Sequence, residues 1–332
     1  DATNFEWWRF NLQDKFINLK RAQDEIEKYT DEILPEEMNA YVKETLSHGK
    51  SEAQISLFHE ETLKPVIKYM GKNELSLKDV SQYLYARHAE EANAFQEKQN
   101  AQRVENEALS GMSNEEAAEI MADFESRGKV QALVNIAKLT DGVIKKTRKI
   151  MVKSGLQSQT VIDEWANQFD YYNPLWGDPQ DPDGKNMGGA EVEKRLGRGS
   201  KADNVFVNLI VQHEKTIIAA EKNAVKRSLL RLAERNPNPN LWSINKREYV
   251  KAIDPVTGLV VDVIDNQLEL GNHIVRTRVD GVDTVIELNK ENVHAANMAL
   301  AFNGKRDKDL IKPIKLALMA NRYFSMINTT WN

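Results

Sequence analysis

The sequence predicts a mainly α-helical protein, a multi-helix array with a small antiparallel β meander inserted near the C-terminal end. Apolar residues recur every three or four positions over most of the 332 residues, as they do on the buried face of a helix. At about 247–288 the pattern changes to alternating or β-branched runs separated by Pro-Val-Thr-Gly and Asp-Gly turns, which is typical of short paired strands. Helices therefore form the framework, and the strands are an insertion in it.

In the N-terminal third, the apolar spacing predicts a succession of helices. The segment 4–27 is amphipathic, and its aromatic stripe of Phe5, Trp7, Trp8 and Phe10 is taken as core. Pro35 suits the first turn of a helix that reaches about residue 46 and breaks at 47–49. The next helix covers about 51–70 with a kink at Pro65, and Ser76 is a suitable N-cap for a helix to about 104.

The remaining segments follow from caps and helix breakers. Ser113 and Glu116 have the spacing of a capping box, and Gly155 suits the end of a long helix. Repeated Gly, Pro and Asp make 171–200 irregular. The predicted helices of this part are 114–126, 129–153, 158–169, 201–235, 291–302 and 309–328.

These patterns divide the chain into three parts. Residues 1–170 form an acidic helical domain, 171–200 an irregular Gly/Pro/Asp-rich connection, and 201–332 a long helix, the meander and C-terminal helices. Net charge changes sign along the chain, from −11 through Arg127 to +6 in the remainder. This asymmetry favours either nucleic-acid contact by the second half or complementary surfaces within one assembly. Because the chain begins at Asp1 without methionine, we expect it to be a fragment of a longer polypeptide.

Composition and motifs exclude several kinds of site. With no cysteine, the chain has neither disulfides nor thiolate metal sites, and no apolar run approaches the length of a transmembrane helix. The aspartates at 178, 181 and 183 lack the glycine and carboxylate positions of a calcium loop, and Gly-Arg-Gly-Ser-Lys at 197–201 lacks the spacing of a phosphate loop. The sequence therefore predicts no cofactor and no metal.

The stretch Tyr-Leu-Tyr-Ala-Arg-His-Ala-Glu-Glu-Ala-Asn-Ala-Phe at 83–95 holds the candidate site. Helical spacing places Leu84, His88 and Glu91 on one side, with Arg87 beside them. One interpretation is a buried polar network that pins helices together, to which Tyr83, Tyr85 and Asn93 also belong. The other is a catalytic site in which His88 is a general base oriented by a carboxylate, with Arg87, Glu90 and Glu91 around it.

Two groups of basic residues are candidates for nucleic-acid contact. The first lies near the end of helix 129–153, where the helix dipole alone favours cations. The second lies in the C-terminal half of helix 201–235. The candidate residues are Lys145, Lys146, Arg148 and Lys149 in the first group and Lys222, Lys226, Arg227 and Arg231 in the second.

Several segments in succession resemble one family. They are the stretch 83–95, LSGMSNEEA at 109–117, the Gly-Leu step at 155–156, YYNPLWG at 171–177, GRGSKADN at 197–204 and the terminal ANRYFSMINTTWN. In this order they resemble the tail region of phage and prophage large polyvalent proteins of the PLxRFG-domain type. Further residues of these segments that carry the resemblance are Pro174, Leu175, Gly177, Gly197, Gly199 and Asn204. Trp176 stands where the family usually has an arginine, so no role of that arginine carries over.

The resemblance implies a non-catalytic structural module of an internal virion protein that is ejected with the phage genome. Its expected partners are other internal virion proteins and further copies of itself, with DNA as a further candidate and without a membrane span. Its expected location is the virion, and after delivery the host envelope or cytoplasm. The alternatives are a capsid-carried antirestriction or DNA-protecting component, and a hydrolase-type enzyme centred on Arg87, His88 and Glu91.

Overall fold

The computed structural model describes residues 16–99, 110–172, 205–246, 249–253, 260–264 and 273–303. The helices are α1 (Ile17–Thr30), α2 (Ala40–Phe58), α3 (Lys64–Lys72), α4 (Leu77–Gln99), α5 (Asn114–Ser126), α6 (Val130–Lys153), α7 (Gln159–Gln168), α8 (Val205–Arg235) and α9 (Val293–Asn303). The strands are β1 (Trp242–Lys246), β2 (Tyr249–Ile253), β3 (Val260–Ile264), β4 (Ile274–Val279) and β5 (Val282–Leu288). The predicted fold class, mainly helical with a small antiparallel sheet near the C-terminal end, is confirmed.

The predicted helix break at 47–49 is wrong, because α2 runs through it. The helix starts after Asn39, whose side-chain oxygen accepts a hydrogen bond from the Val42 N–H at 3.0 Å as an N-cap does. Pro35 precedes only a short 3-10 turn, Glu36–Met38. A glycine inside a helix costs only about 1 kcal/mol, which the neighbouring turns of α2 outweigh at Gly49.

The irregularity expected at Pro65 takes the form of a π-helical turn, His59–Leu63, between α2 and α3. Proline has no N–H to donate to the carbonyl four residues earlier. The preceding N–H, that of Lys64, donates to the carbonyl of His59, five residues back. The wider turn therefore accommodates the proline without ending the helical path.

The predicted caps are confirmed. Ser76 accepts a hydrogen bond from the Asp79 N–H at 3.0 Å, while the Asp79 carboxylate accepts from the Ser76 N–H at 2.9 Å. Ser113 and Glu116 form the same reciprocal capping box at the start of α5. Gly155, just after α6, has a φ of +74°, a conformation that glycine adopts at little cost.

The described residues belong to two compact units that interleave along the chain. The first unit comprises 16–50, 154–158 and the described residues from 220 to 303, and the second comprises 51–99, 110–153, 159–172 and 205–219. The continuous helices α2 and α8 each contribute residues to both units.

In the first unit, a three-stranded antiparallel sheet has the order β1-β5-β4, and β2 and β3 form a separate antiparallel hairpin. Trp242 of β1 pairs with Leu288 of β5, and Val275 of β4 pairs with Ile286. Strand β1 was not among the predicted strands. The core of this unit joins the sheet to helices α1, α8 and α9 through buried apolar residues that include Leu19, Leu229, Leu232, Val275, Ile286, Leu288 and Met298.

Asn223 of α8 links the sheet to the segment 154–158. Its amide nitrogen donates to the carbonyls of Ser154 and Arg278, each at 2.9 Å. Its oxygen accepts from the Thr277 hydroxyl at 3.1 Å and the Arg278 N–H at 2.9 Å. Both ends of this buried amide are therefore satisfied by neighbours on β4 and the 154–158 segment.

The second unit is helical in its described part. Its core is formed by the buried faces of α3–α6 and the first half of α8 and includes Ile67, Leu84, Phe124, Leu133, Ile136, Leu209 and Ile210. No described helix of the chain has both the length and the apolar character needed to cross a bilayer. The predicted helix 309–328, the aromatic residues at 5–10 and most of the segment 171–200 lie outside the described residues.

Candidate functional site

The polar face of α4 is buried, as its spacing predicts. Leu84 and His88 have no exposed surface, and Tyr83 and Tyr85 are buried beside them. Glu91 is half-buried, whereas Glu90 points to solvent. Glu90 is therefore not part of the cluster in which the catalytic interpretation placed it.

Arg87 joins α4 to α6 through a two-pronged ion pair. Its Nη1 and Nη2 donate to the two carboxylate oxygens of Asp141, at 3.1 and 2.5 Å. This arrangement uses the planar fork of the guanidinium, which is the strongest way for arginine to hold a carboxylate. The Tyr171 ring lies over the same guanidinium, 4.7 Å from its central carbon. Arg87 therefore holds both a helix and the segment that follows α7.

The His88 ring is enclosed by aromatic side chains. Phe169 packs edge-on against it at 5.2 Å between centroids, and Tyr172 does so at 6.0 Å. Phe95, two turns further along α4, contacts Phe169 in the same way at 5.2 Å. Such edge-to-face contacts stabilise a packed aromatic cluster. The environment of His88 is that of a core residue.

Glu91 binds the backbone beside this cluster. Its Oε2 accepts a hydrogen bond from the Tyr171 N–H at 3.1 Å and lies 3.9 Å from Nδ1 of His88. Burial opposes ionisation of the carboxyl, but His88 and the Tyr171 and Asp170 backbone outweigh it and hold the pKa of Glu91 below its ordinary value. Glu91 is therefore a charged acceptor that fixes the chain after α7.

Asn93 and Tyr85 fix the segment that precedes α5. The Asn93 amide nitrogen donates to the Met112 carbonyl at 2.9 Å, and its oxygen accepts from the Ser110 N–H at 2.8 Å. The Tyr85 hydroxyl donates to the Ser110 carbonyl at 2.7 Å. Gly111 between them has a φ of +86°, which suits glycine. These two side chains replace the backbone partners that an irregular segment lacks.

Segments that are distant in the sequence thus meet at α4. The stretch 83–95 binds Ser110 and Met112 on one side and Phe169, Tyr171 and Tyr172 on the other. Of the other residues that carry the resemblance, Pro174, Leu175, Gly177, Gly197, Gly199 and Asn204 lie outside the described residues.

Comparison of the chain with protein-family models, curated proteins and solved structures finds no match. The assignment of function therefore depends on the residues of this chain.

A second polar cluster in the same unit was not anticipated from the sequence. His59, at the first position of the π-helical turn, has its Nε2 2.6 Å from Oε1 of Glu214 on α8. The Glu214 side chain is 1% exposed, and its Oε2 has no hydrogen-bond partner among the described residues. The sequence did contain a signal that Glu214 is buried, because helical spacing places it between Ile210 and Ile217 on the apolar face of α8.

His213, the neighbour of Glu214, is buried against the Phe58 ring at 4.3 Å between centroids. The Thr147 hydroxyl donates to the Val143 carbonyl, so at its 2.7 Å contact with His213 it accepts, and the imidazole carries its proton on Nδ1. Burial, assisted by the nearby Lys146 charge, lowers the pKa of His213 to about 4. His213 is therefore neutral at physiological pH.

A small cavity lies among the apolar core residues of the second unit. Its volume is about 10 Å³, and its lining includes Phe58, Leu63 and Ile210. A volume of this size holds about one water molecule. Among the described residues, no three histidine or carboxylate side chains are placed to hold a metal ion.

The candidate basic residues have different environments. Lys145, Lys146, Lys149, Lys222 and Arg231 are exposed. The other three, Arg148, Lys226 and Arg227, are half-buried. Arg148 stacks over Tyr172 at 5.5 Å, and Arg227 donates to the Ser154 carbonyl at 3.1 Å. Burial, together with Lys222 and Arg276, lowers the pKa of Lys226. Arg148 and Arg227 are therefore engaged within the protein.

Proposed function

We propose that this chain is a structural and interaction module of a phage internal virion protein, of the kind that is ejected with the genome. The module itself performs no catalysis in this proposal. Its partners are other internal virion proteins and further copies of itself, and its location is the virion and then the host envelope or cytoplasm. The support comes from the residues of stretch 83–95 and from what they contact.

The observation that carries the proposal is the engagement of those residues in bonds within the protein. Arg87 is bound to Asp141, Glu91 to the Tyr171 backbone, and Asn93 to Ser110 and Met112. A catalytic base and its orienting carboxylate need access to a reacting group. Here His88 lies within an aromatic cluster with no exposed surface. This arrangement favours a scaffold over a reaction centre.

Variants of His88 distinguish the scaffold from the enzyme alternative. Replacement of a fully buried, ring-contacting side chain by alanine removes packing worth about 3 kcal/mol, so His88→Ala is expected to unfold at markedly lower urea concentration. His88→Phe keeps an aromatic ring at this position and is expected to retain more of the stability than His88→Ala. If both variants stayed as stable as the parent and lost a measurable hydrolytic activity, the enzyme alternative would replace the proposal.

The location is tested in the phage or prophage that encodes the chain. Purified particles, separated from free protein by density centrifugation, are analysed by quantitative mass spectrometry before and after genome ejection. The expected result is a fixed copy number in full particles and its loss from ejected ones. Abundance in the lysate without enrichment in particles would contradict the proposal. A non-structural protein of the same genome is the control for contamination.

A further inference from the structure

The solvent-facing side of α6 is a row of lysines with no carboxylate. At 3.6 residues per turn, Lys145, Lys149 and Lys153 follow one another along the helix, and Lys138 and Lys146 fall within the same arc of about 100°. All five are exposed, and none forms an ion pair among the described residues. These five residues are called the lysine face below.

The only acidic residue of α6 lies outside the lysine face. Asp141 is turned toward α4, where Arg87 binds both of its carboxylate oxygens. The exposed carboxylates of the neighbouring α7, Asp163 and Glu164, pair with none of the five lysines. In a chain with more acidic than basic residues, the lysine face is therefore an uncompensated strip of positive charge.

The helix dipole accounts for only a small part of this strip. Its influence falls off within the last turn, which contains only Lys153 of the five. Lys138 lies about 22 Å upstream of Lys153 at 1.5 Å per residue. The strip therefore requires another explanation along most of its length.

We propose that the lysine face of α6 binds the phosphate backbone of nucleic acid. Duplex DNA carries one negative charge per ~1.7 Å of its axis, so about 22 Å of duplex carries roughly 13 phosphates on its two strands. The part of them that faces the helix is enough to neutralise five lysines. An anionic membrane fits less well, because a membrane-surface helix also inserts an apolar face. The apolar face of α6, with Leu133, Ile136 and Val143, is buried in the core of its unit.

This assignment separates the two basic groups. The group on α8 includes Arg227, which is bound to the Ser154 carbonyl, and the half-buried Lys226. Of the two groups, the α6 lysines are the one that forms an exposed row on one helix face. The proposal does not depend on the virion assignment, because an exposed row of lysines would bind the phosphates of any nucleic acid that it meets.

The test measures binding of the full chain to a 20-base-pair duplex by fluorescence anisotropy over a series of salt concentrations. The triple variant Lys145→Gln/Lys149→Gln/Lys153→Gln is compared with Lys28→Gln/Lys50→Gln/Lys78→Gln, which removes the same charge from exposed positions on three different helices. Each lost phosphate contact reduces the slope of log K against log salt by about 0.9. The first variant is expected to reduce it by about 3, and the control by less than 1.

Equal changes in the two triple variants, or no binding by the parent at low salt, would overturn the proposal. A single-stranded oligonucleotide of the same length identifies the form of nucleic acid, because its slope per contact is about 0.7. Vesicles containing phosphatidylserine test the other source of negative charge. If the parent bound vesicles through these lysines and not DNA, the nucleic-acid assignment would be wrong. Circular dichroism confirms that both variants remain folded.

Discussion

The side-chain amide of Asn93 on α4 donates to the Met112 carbonyl at 2.9 Å, across 19 residues of the chain. Its oxygen accepts from the Ser110 N–H, so one side chain bonds the backbone at two points of the segment that leads into α5. A backbone N–H that is buried without a partner costs about 1–3 kcal/mol. The Asn93 amide thus fixes the segment between α4 and α5 at two points, beside the bond from the Tyr85 hydroxyl to the Ser110 carbonyl.

Replacement of Asn93 by alanine is expected to lower the free energy of unfolding by about 2–4 kcal/mol, because the buried Ser110 N–H loses its acceptor. Urea denaturation followed by circular dichroism measures the change. Asn167→Ala, at an exposed position of α7, is the matched control and is expected to change stability by less than about 0.5 kcal/mol. Equal effects of the two substitutions would show that the Asn93 bonds are unimportant.

The Arg87 and Asp141 side chains are expected to be coupled by about 1–3 kcal/mol in a double-mutant cycle with Arg87→Lys and Asp141→Asn. Lysine cannot form two parallel bonds or stack on Tyr171 in the same way, so Arg87→Lys is expected to lose most of the interaction. The exposed pair of Lys64 and Glu60 provides the control cycle, with an expected coupling below about 0.5 kcal/mol. A coupling near zero for Arg87 and Asp141 would refute this prediction.

Stability is expected to fall in mild acid because of His213. Its pKa is about 4 in the folded chain, against about 6.5 when unfolded, so between these values the unfolded state binds a proton that the folded state does not. The contribution of neutral His213 to the free energy of unfolding is fully present above pH 6.5 and is lost as pH falls toward 4. The total loss is roughly 3 kcal/mol. Urea denaturation at several pH values measures it.

The variant His213→Phe removes this titration while keeping an aromatic ring against Phe58. Its free energy of unfolding is expected to vary less between pH 6.5 and 4 than that of the parent, because unfolding of the variant takes up about one proton fewer. His48→Gln, at an exposed histidine, is the control and is expected to leave the pH dependence unchanged. Parallel curves for the parent and His213→Phe would contradict the assignment of a buried neutral imidazole.

Two glycines are expected to respond oppositely to alanine. Gly281, in the turn between β4 and β5, has a φ of +82°, and an added Cβ would lie 2.9 Å from the Ser158 nitrogen. Gly281→Ala is therefore expected to cost about 2 kcal/mol or more. Gly142 lies within α6 with free space around it, so Gly142→Ala is expected to stabilise by about 0.5–1 kcal/mol. Thermal unfolding of both variants tests whether Gly281→Ala lowers the melting temperature and Gly142→Ala raises it.

Features set by neighbouring residues could be predicted from the sequence. The reciprocal caps of Ser76 and Ser113 and the burial of Leu84 and His88 follow from residue types within one or two turns. The Asp280-Gly281 turn was predicted for the same reason, because two adjacent positive φ values suit that residue pair.

Features set by distant partners could not be predicted. Asp141 lies 54 residues from Arg87, and no local pattern distinguishes it from another surface carboxylate. Strand β1 pairs with β5, more than 40 residues later; its five residues, Trp-Ser-Ile-Asn-Lys, do alternate apolar and polar types, but this short local signal was missed. The continuation of α2 through Gly49 shows a different limit, because the helical turns on either side outweigh the weak preference of one residue.

Helices α2 and α8 each pass from one unit into the other without a break. A truncation at residue 50 or 219 would sever a helix in its interior and leave backbone N–H and C=O groups at the cut without their helical partners. The two units are thus poor candidates for separate expression, and loss of one removes helical turns that are continuous with the other. In limited proteolysis, a cut in either helix near residue 50 or 219 would therefore create new helix ends in both units at once.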